Sequence, residues 1–178
     1  MKRSSPIITS GKLIIAITSS NLPLIERVEQ QLLQEFGSYE SESDLFSFDD
    51  FTSYYAEEMG TSLQKKFVSF QDMIPLEKLV DIKLCTNQIE QQSALNGNRQ
   101  MNLDPGYVTH AQMVLATTKN YSHRIYLGKG IHGELTYIVR QKKFRPLKWT
   151  YPDYREPWVI EFFGKVRQSY LRHIRTQK

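Results

Sequence analysis

The chain has 178 residues, 40% hydrophobic and 24% charged, which is ordinary for a soluble globular protein and enough for one domain with a real core. Its single cysteine, Cys85, excludes an internal disulfide and a cysteine zinc site and fits a reducing cytoplasm, where the protein is expected. The formal charge of +4 hides a division: residues 1–118 carry 9 Lys+Arg against 15 Asp+Glu, net −6, and residues 119–178 carry 14 against 4, net +10, so the last third calls for an anionic partner or for docking on the acidic part.

In chain order, residues 1–11 read as a flexible polar tail. The apolar run at 13–17 is too short for a signal-peptide core or a membrane span, so no membrane is expected. Residues 12–19 (KLIIAITS) predict a buried strand. Ser20 and Asn21 offer an N-cap, Pro23 suits a first turn, and the stripe Leu24, Ile25, Val28, Leu32, Phe36 predicts a helix stopped by Gly37. Residues 44–48 predict a strand, 52–59 fit either a continued strand or a short helix, and 63–70 alternate as a strand after a turn at 60–62. Pro75 opens a second helix with Leu76, Leu79, Val80, Lys83, Leu84 and Asn87 on one face. After a loop at 93–98, residues 100–103 predict a short strand ended by Asp104-Pro105-Gly106. This β-α-β-β-α-β order is the ferredoxin-like arrangement.

Residues 109–118 (THAQMVLATT) predict a helix. Residues 121–127 and 131–140 flank Gly128-Lys129-Gly130 and predict a β-hairpin. A three-residue loop pairs Arg124 with Glu134 and Tyr126 with His132; it also gathers Tyr121, His123, Ile125, Leu127, Ile131, Leu135 and Tyr137 on a face expected to be buried. Residues 143–149 predict a third strand, 150–158 (TYPDYREPW) a connector, and Pro157 the start of a closing helix. Its inward face is Ile160, Phe163, Val166, Tyr170 and Ile174, with Lys165, Arg167, Arg172 and Arg175 outside. The expected fold class is therefore α+β: a ferredoxin-like βαββαβ core with a C-terminal helix, an antiparallel three-stranded meander and a closing helix. It forms a single domain over 12–178, with residues 109–178 packed as a basic half on residues 12–108.

The segments LFSFDDFTSYYAEEMG (45–60), KKFVSFQDMI (65–74), DIKLCTNQIE (81–90), NLDPGYVT (102–109), TTKNYSHRIYLGKGIHGELT (117–136) and WTYPDYREP (149–157) resemble an uncharacterised bacterial family. It is described only as a domain of unknown function, with members sometimes labelled "GTP-binding protein". The resemblance spans nearly the whole chain. It implies membership and supplies no catalytic residues. The residues themselves lack a G-x-x-x-x-G-K-[ST] phosphate loop and an Asn-Lys-x-Asp guanine reader.

Several motifs bear on chemistry. Gly128-Lys129-Gly130-Ile131-His132-Gly133 matches G-x-G-x-x-G, but a strand follows where the dinucleotide version needs a helix, and no kinase catalytic loop accompanies it. Glycine amides with Lys129 could hold a phosphate, or the loop is simply tight. Asp104 either caps a turn or acts as a metal ligand or general base beside Asp49, Asp50 or Glu58. His110, His123 and His132 fit neither a two-histidine phosphoesterase pattern nor a zinc site, so no metal site is expected. Lys142, Lys143, Arg145 and Lys148 lie among Phe144, Trp149, Tyr151 and Tyr154, which suits single-stranded RNA or a lysine-protected sheet edge.

The resulting expectation is a phosphate-bearing ligand, nucleotide or RNA, on the hairpin's polar face. Arg124, Lys129 and His132 would hold the anion and Tyr126 a base or sugar. Two alternatives stay open: a metal-dependent enzyme using Asp104 and Glu134, with His132 as a further catalytic candidate, and a protein-interaction module without a small ligand, docking through the basic helix at 156–178. No cofactor, enzymatic class or oligomeric state follows from the sequence.

Overall fold

The computed structural model describes residues 9–176. It is an α+β structure with one nine-stranded antiparallel sheet and four α-helices. Residues 1–8 of the expected tail lie outside the described residues, and Ser10 and Gly11 belong to the first strand.

That strand, β1 (Ser10–Ser19), is apolar throughout because both its faces are covered. Leu13, Ile15 and Ile17 meet one core and Ile14 and Ala16 the other. Helix α1 (Leu22–Phe36) starts at Asn21, whose side-chain oxygen accepts from the Leu24 amide, as an N-cap does. Gly37 ends it at φ 88°, a conformation that favours glycine. Strands β2 (Tyr39–Glu42) and β3 (Phe46–Ser47) both pair with β4 (Gln64–Pro75), and the ambiguous residues between them contain the short helix α2 (Ala56–Met59). Helix α3 (Leu79–Gln92) packs with α1 in the first core, through Ile82 and Ile89.

Strand β5 (Asn102–Val108) continues straight through Asp104-Pro105-Gly106, correcting the expected turn. Pro105 is tolerated because it faces Ile15 of β1 in a stretch with no second neighbour; a proline has no amide hydrogen to give a second strand. The expected helix at 109–118 is instead β6 (Gln112–Thr117). Met113 and Leu115 enter one core while Val114 and Ala116 enter another, so its apolar run is a strand buried on both faces.

Gly106 is where β5 and β6 touch: a Cβ there would lie 2.3 Å from the Val114 carbonyl oxygen. Gly106→Ala is expected to cost about 3 kcal/mol, the upper end of the overpacking range, because a backbone oxygen cannot move aside by changing rotamer. Urea unfolding measures it; a midpoint equal to wild type would contradict the contact.

The hairpin has the expected pairs, Arg124 with Glu134 and Tyr126 with His132, between β7 (Arg124–Gly128) and β8 (Ile131–Arg140). The turn itself is Lys129-Gly130, with φ 51° and 77°, as in a type I′ turn. The register slips at Leu127 so that Gly128 meets Ile131. Strand β9 (Lys143–Pro146) pairs with the far end of β8, on the edge that β7 occupies at the near end, because β6 holds the other edge. The three strands therefore do not form a simple meander. In the gap between β7 and β9, Trp149 Nε1 donates to the Leu135 carbonyl at 2.7 Å and Thr150 Oγ1 to the Thr136 carbonyl at 2.7 Å, satisfying groups that no strand reaches.

The closing helix α4 (Pro157–Thr176) lays Val159, Phe163 and Val166 on the second core, opposite α1 and α3. Arg167, expected outside, is buried with them and donates to the carbonyls of His110 at 2.7 Å and Lys142 at 3.1 Å. No helix among the described residues is long and apolar enough to cross a membrane.

Candidate functional site

Strands β5 and β6 pair only from Gly106–Leu115 to Val108–Met113. Beyond that they part, and the opening forms one side of a cavity of about 610 Å³. Asn102 and Asp104 come from β5, and Leu115, Ala116 and Thr117 from β6. The segment at 48–55 covers it with Phe48, Phe51, Tyr54 and Tyr55, the 119–121 turn contributes Lys119, Asn120 and Tyr121, and the connector at 151–154 closes it with Tyr151 and Tyr154.

Each charged wall group has a place. Lys65 and Asp153 form a buried pair, Nζ to Oδ2 2.7 Å, with side chains 4% and 2% exposed. The ammonium also sits 4.4 Å from the Phe48 ring centroid and 4.9 Å from that of Tyr154, adding cation–π attraction. Arg99 grips Glu58 of α2 through two bonds of 2.7 and 2.8 Å and reaches Asn102 at 3.1 Å, which ties the covering segment to β5. Asn102 in turn donates to Asp104 Oδ2 at 2.7 Å. Arg124 is a junction: Nε to Glu134 at 2.7 Å, Nη2 to the Tyr151 hydroxyl at 2.9 Å and Nη1 to the Lys119 carbonyl at 3.0 Å.

Proton affinities follow from these surroundings. Burial raises the phenols of Tyr55 and Tyr154 and pushes Tyr151 up to about 12, so all three remain protonated at neutral pH. Tyr54 is the exception, lowered by the hydrogen bond from Lys119 Nζ to its hydroxyl. Glu58 is lowered by the Arg99 bond, while burial raises Glu90. Among the described residues no carboxylate forms an ion pair with Lys119, whereas Lys65, Arg99 and Arg124 all have one.

Of the candidate site residues proposed on the hairpin and its partners, Arg124, Glu134 and Asp104 line this one cavity. Tyr126, Lys129 and His132 are not in its wall. Lys129 Nζ lies 2.8 Å from Asp81 Oδ1, a bond that holds the Asp81 carboxyl below its ordinary range. Tyr126 and His132 meet edge to face at 5.3 Å. Asp49 accepts the Ser62 and Leu63 amides as a turn cap. No group of three or more His, Cys, Asp or Glu among the described residues is placed to hold a metal ion.

The hairpin's apolar face departs from expectation in one strand only: Ile131 and Tyr137 of β8 are buried as expected, but the β7 side is not. The Arg124–Glu134 pair is buried, while Ile125 is 72% exposed and Leu127 and Tyr121 are also exposed. The reason is position. Strand β7 is the last in the sheet, and the apolar residues of α3 cluster with β6 and with Ile131 and Leu135 of β8, whereas Ile125 and Leu127 of β7 stay exposed.

Tyr151 and Tyr154, named from sequence among the basic residues that follow the hairpin, also line the cavity, whereas sequence reasoning did not single out Tyr54, Tyr55, Arg99, Lys119 or the Lys65–Asp153 pair. The signal available was the aromatic density of TSYYAEEMG and TYPDYREP, which had looked like connector sequence. A family model described as a domain of unknown function (DUF4416) matches residues 9–170. No curated protein and no solved structure matches the chain.

Proposed function

The chain belongs to this family of unknown function, and from the cavity we propose that it binds a phosphate-bearing ligand of mononucleotide size, with the ring among the tyrosines and the anion on Lys119. The observation that carries this reading is an aromatic cavity of about 610 Å³ whose wall includes Lys119, a lysine with no carboxylate in ion-pair contact among the described residues. That volume lies within the usual range for small-ligand sites. Tyrosine faces stack on any planar ring. Asp104, whose side chain is 31% exposed, is a hydrogen-bond acceptor suited to sugar hydroxyls. A polymer along β9 has weaker support. Lys143 and Arg145 alternate with buried Phe144, which faces the core under α4, so the two cations project from the opposite face of the sheet. We also infer a ferredoxin-like first half. The strand order β2-β4-β1-β5 and the placement of α1 and α3 on one face support it.

Calorimetric titration with adenosine monophosphate (AMP) tests the ligand reading. Saturable binding is expected at neutral pH. Tyr54 titrates below its ordinary value, so a rising pH creates a phenolate beside Lys119 and opposes the phosphate. Affinity should therefore fall on the alkaline side, and the fall should begin at a lower pH in the wild-type protein than in Tyr54→Phe. No saturable binding of AMP or another nucleoside monophosphate would end the proposal.

A further inference from the structure

Three of the cavity's four cations are paired, and one of its carboxylates is only half used. Lys65, Arg99 and Arg124 each lie on a carboxylate. Glu134, by contrast, uses only half of its carboxylate. Its Oε2 accepts from Arg124 Nε at 2.7 Å and lies 3.0 Å from His123 Nε2. Its Oε1 is buried without a hydrogen-bond partner, although the side chain is part of the cavity wall and only 2% exposed. A buried, unsatisfied carboxylate oxygen is costly, and the cost is relieved when a ligand brings a donor.

The fixed half is held firmly. His123 stacks on Trp149 with centroids 4.9 Å apart and planes at 19°, and Trp149 is itself bonded to the Leu135 carbonyl. Arg124 is pinned by Tyr151 and by the Lys119 backbone. Glu134 therefore cannot turn its free oxygen toward these partners without giving up the bonds at Oε2. The hydroxyl of Tyr154, another cavity residue, also lacks a partner.

We propose that Glu134 is the specificity-determining residue of this site, its free carboxylate oxygen taking an N–H from the ring of the bound ligand. The ligand class is then a phosphate ester of a heterocycle with a ring amino or lactam N–H. This rests on the phosphate-ligand reading above and narrows it.

Two probes that differ only at the ring edge test it: AMP, which has an amino group, and purine riboside 5′-monophosphate, which has hydrogen in its place. A charge-assisted hydrogen bond gives the wild-type protein about a tenfold to hundredfold preference for AMP. In Glu134→Gln the amide oxygen takes the place beside Arg124 and the NH₂ group turns to the cavity, so the preference should vanish or reverse. The unfolding midpoint of the variant shows whether it is folded, and the wild-type comparison stands without it. Equal wild-type affinity for the two probes overturns this inference and leaves the phosphate site intact. Binding of neither, nor of any other nucleoside monophosphate, overturns both.

Discussion

Asp153→Asn is expected to lower stability by about 3–5 kcal/mol, the typical cost of stripping one partner from a buried ion pair. The pair it breaks, Lys65–Asp153, has both side chains almost fully enclosed. A neutral amide leaves the ammonium without its counter-charge, and the three aromatic rings around Lys65 attract it too weakly to substitute. The pair also joins β4 to the 3-10 turn Asp153–Arg155, which precedes α4. Loss of the pair therefore loosens one wall of the cavity as well as the core. A second variant separates charge from shape. Lys65→Met with Asp153→Leu removes both charges and keeps apolar bulk, so it should recover most of the loss, since buried pairs exchanged for apolar groups are often neutral or better. Denaturant unfolding of Lys65→Met, Asp153→Leu and the double variant gives the coupling directly. Additive single losses would mean that the two groups act independently, contrary to the 2.7 Å contact.

Such long-range pairs are what the sequence could least reveal. Local patterns were legible. The cap at Asn21, the stripe of α1, the start of α4 at Pro157 and the cross-strand pairs of the hairpin all follow from spacing and turn chemistry. Strand β6 was illegible for a physical reason. A strand buried on both faces shows no alternation, and MVLA reads equally well as a turn of helix. The exposure of Ile125 and Leu127 in β7 was illegible because alternation tells which residues share a face and not which face is covered; the coverage is set by α3 and by the 151–154 connector, both distant in sequence. Arg124 and Glu134 could be paired by register alone. Their meeting with Asp104 depends on β5 and β6 separating above Gly106, a matter of sheet geometry.

Two lysines on opposite sides of this question settle where the anion sits. Lys119→Ala should weaken AMP binding about tenfold to a hundredfold, the range for losing a charge-assisted bond to phosphate. Lys129→Ala should leave it within about twofold, since Lys129 lies outside the cavity wall and is engaged with Asp81 and an exposed pair of that kind contributes little. Lys119 is the better probe than Arg124. The Arg124 guanidinium holds Glu134, Tyr151 and the Lys119 backbone together, so its removal would alter the wall itself. Among the described residues the Lys119 side chain donates only to the exposed Tyr54 hydroxyl, and its loss leaves the fold's contacts in place. Calorimetry on the two variants gives opposite answers for the two locations. If the glycine turn held the phosphate, Lys129→Ala would carry the loss, and the tyrosine cavity would have no claim on the ligand.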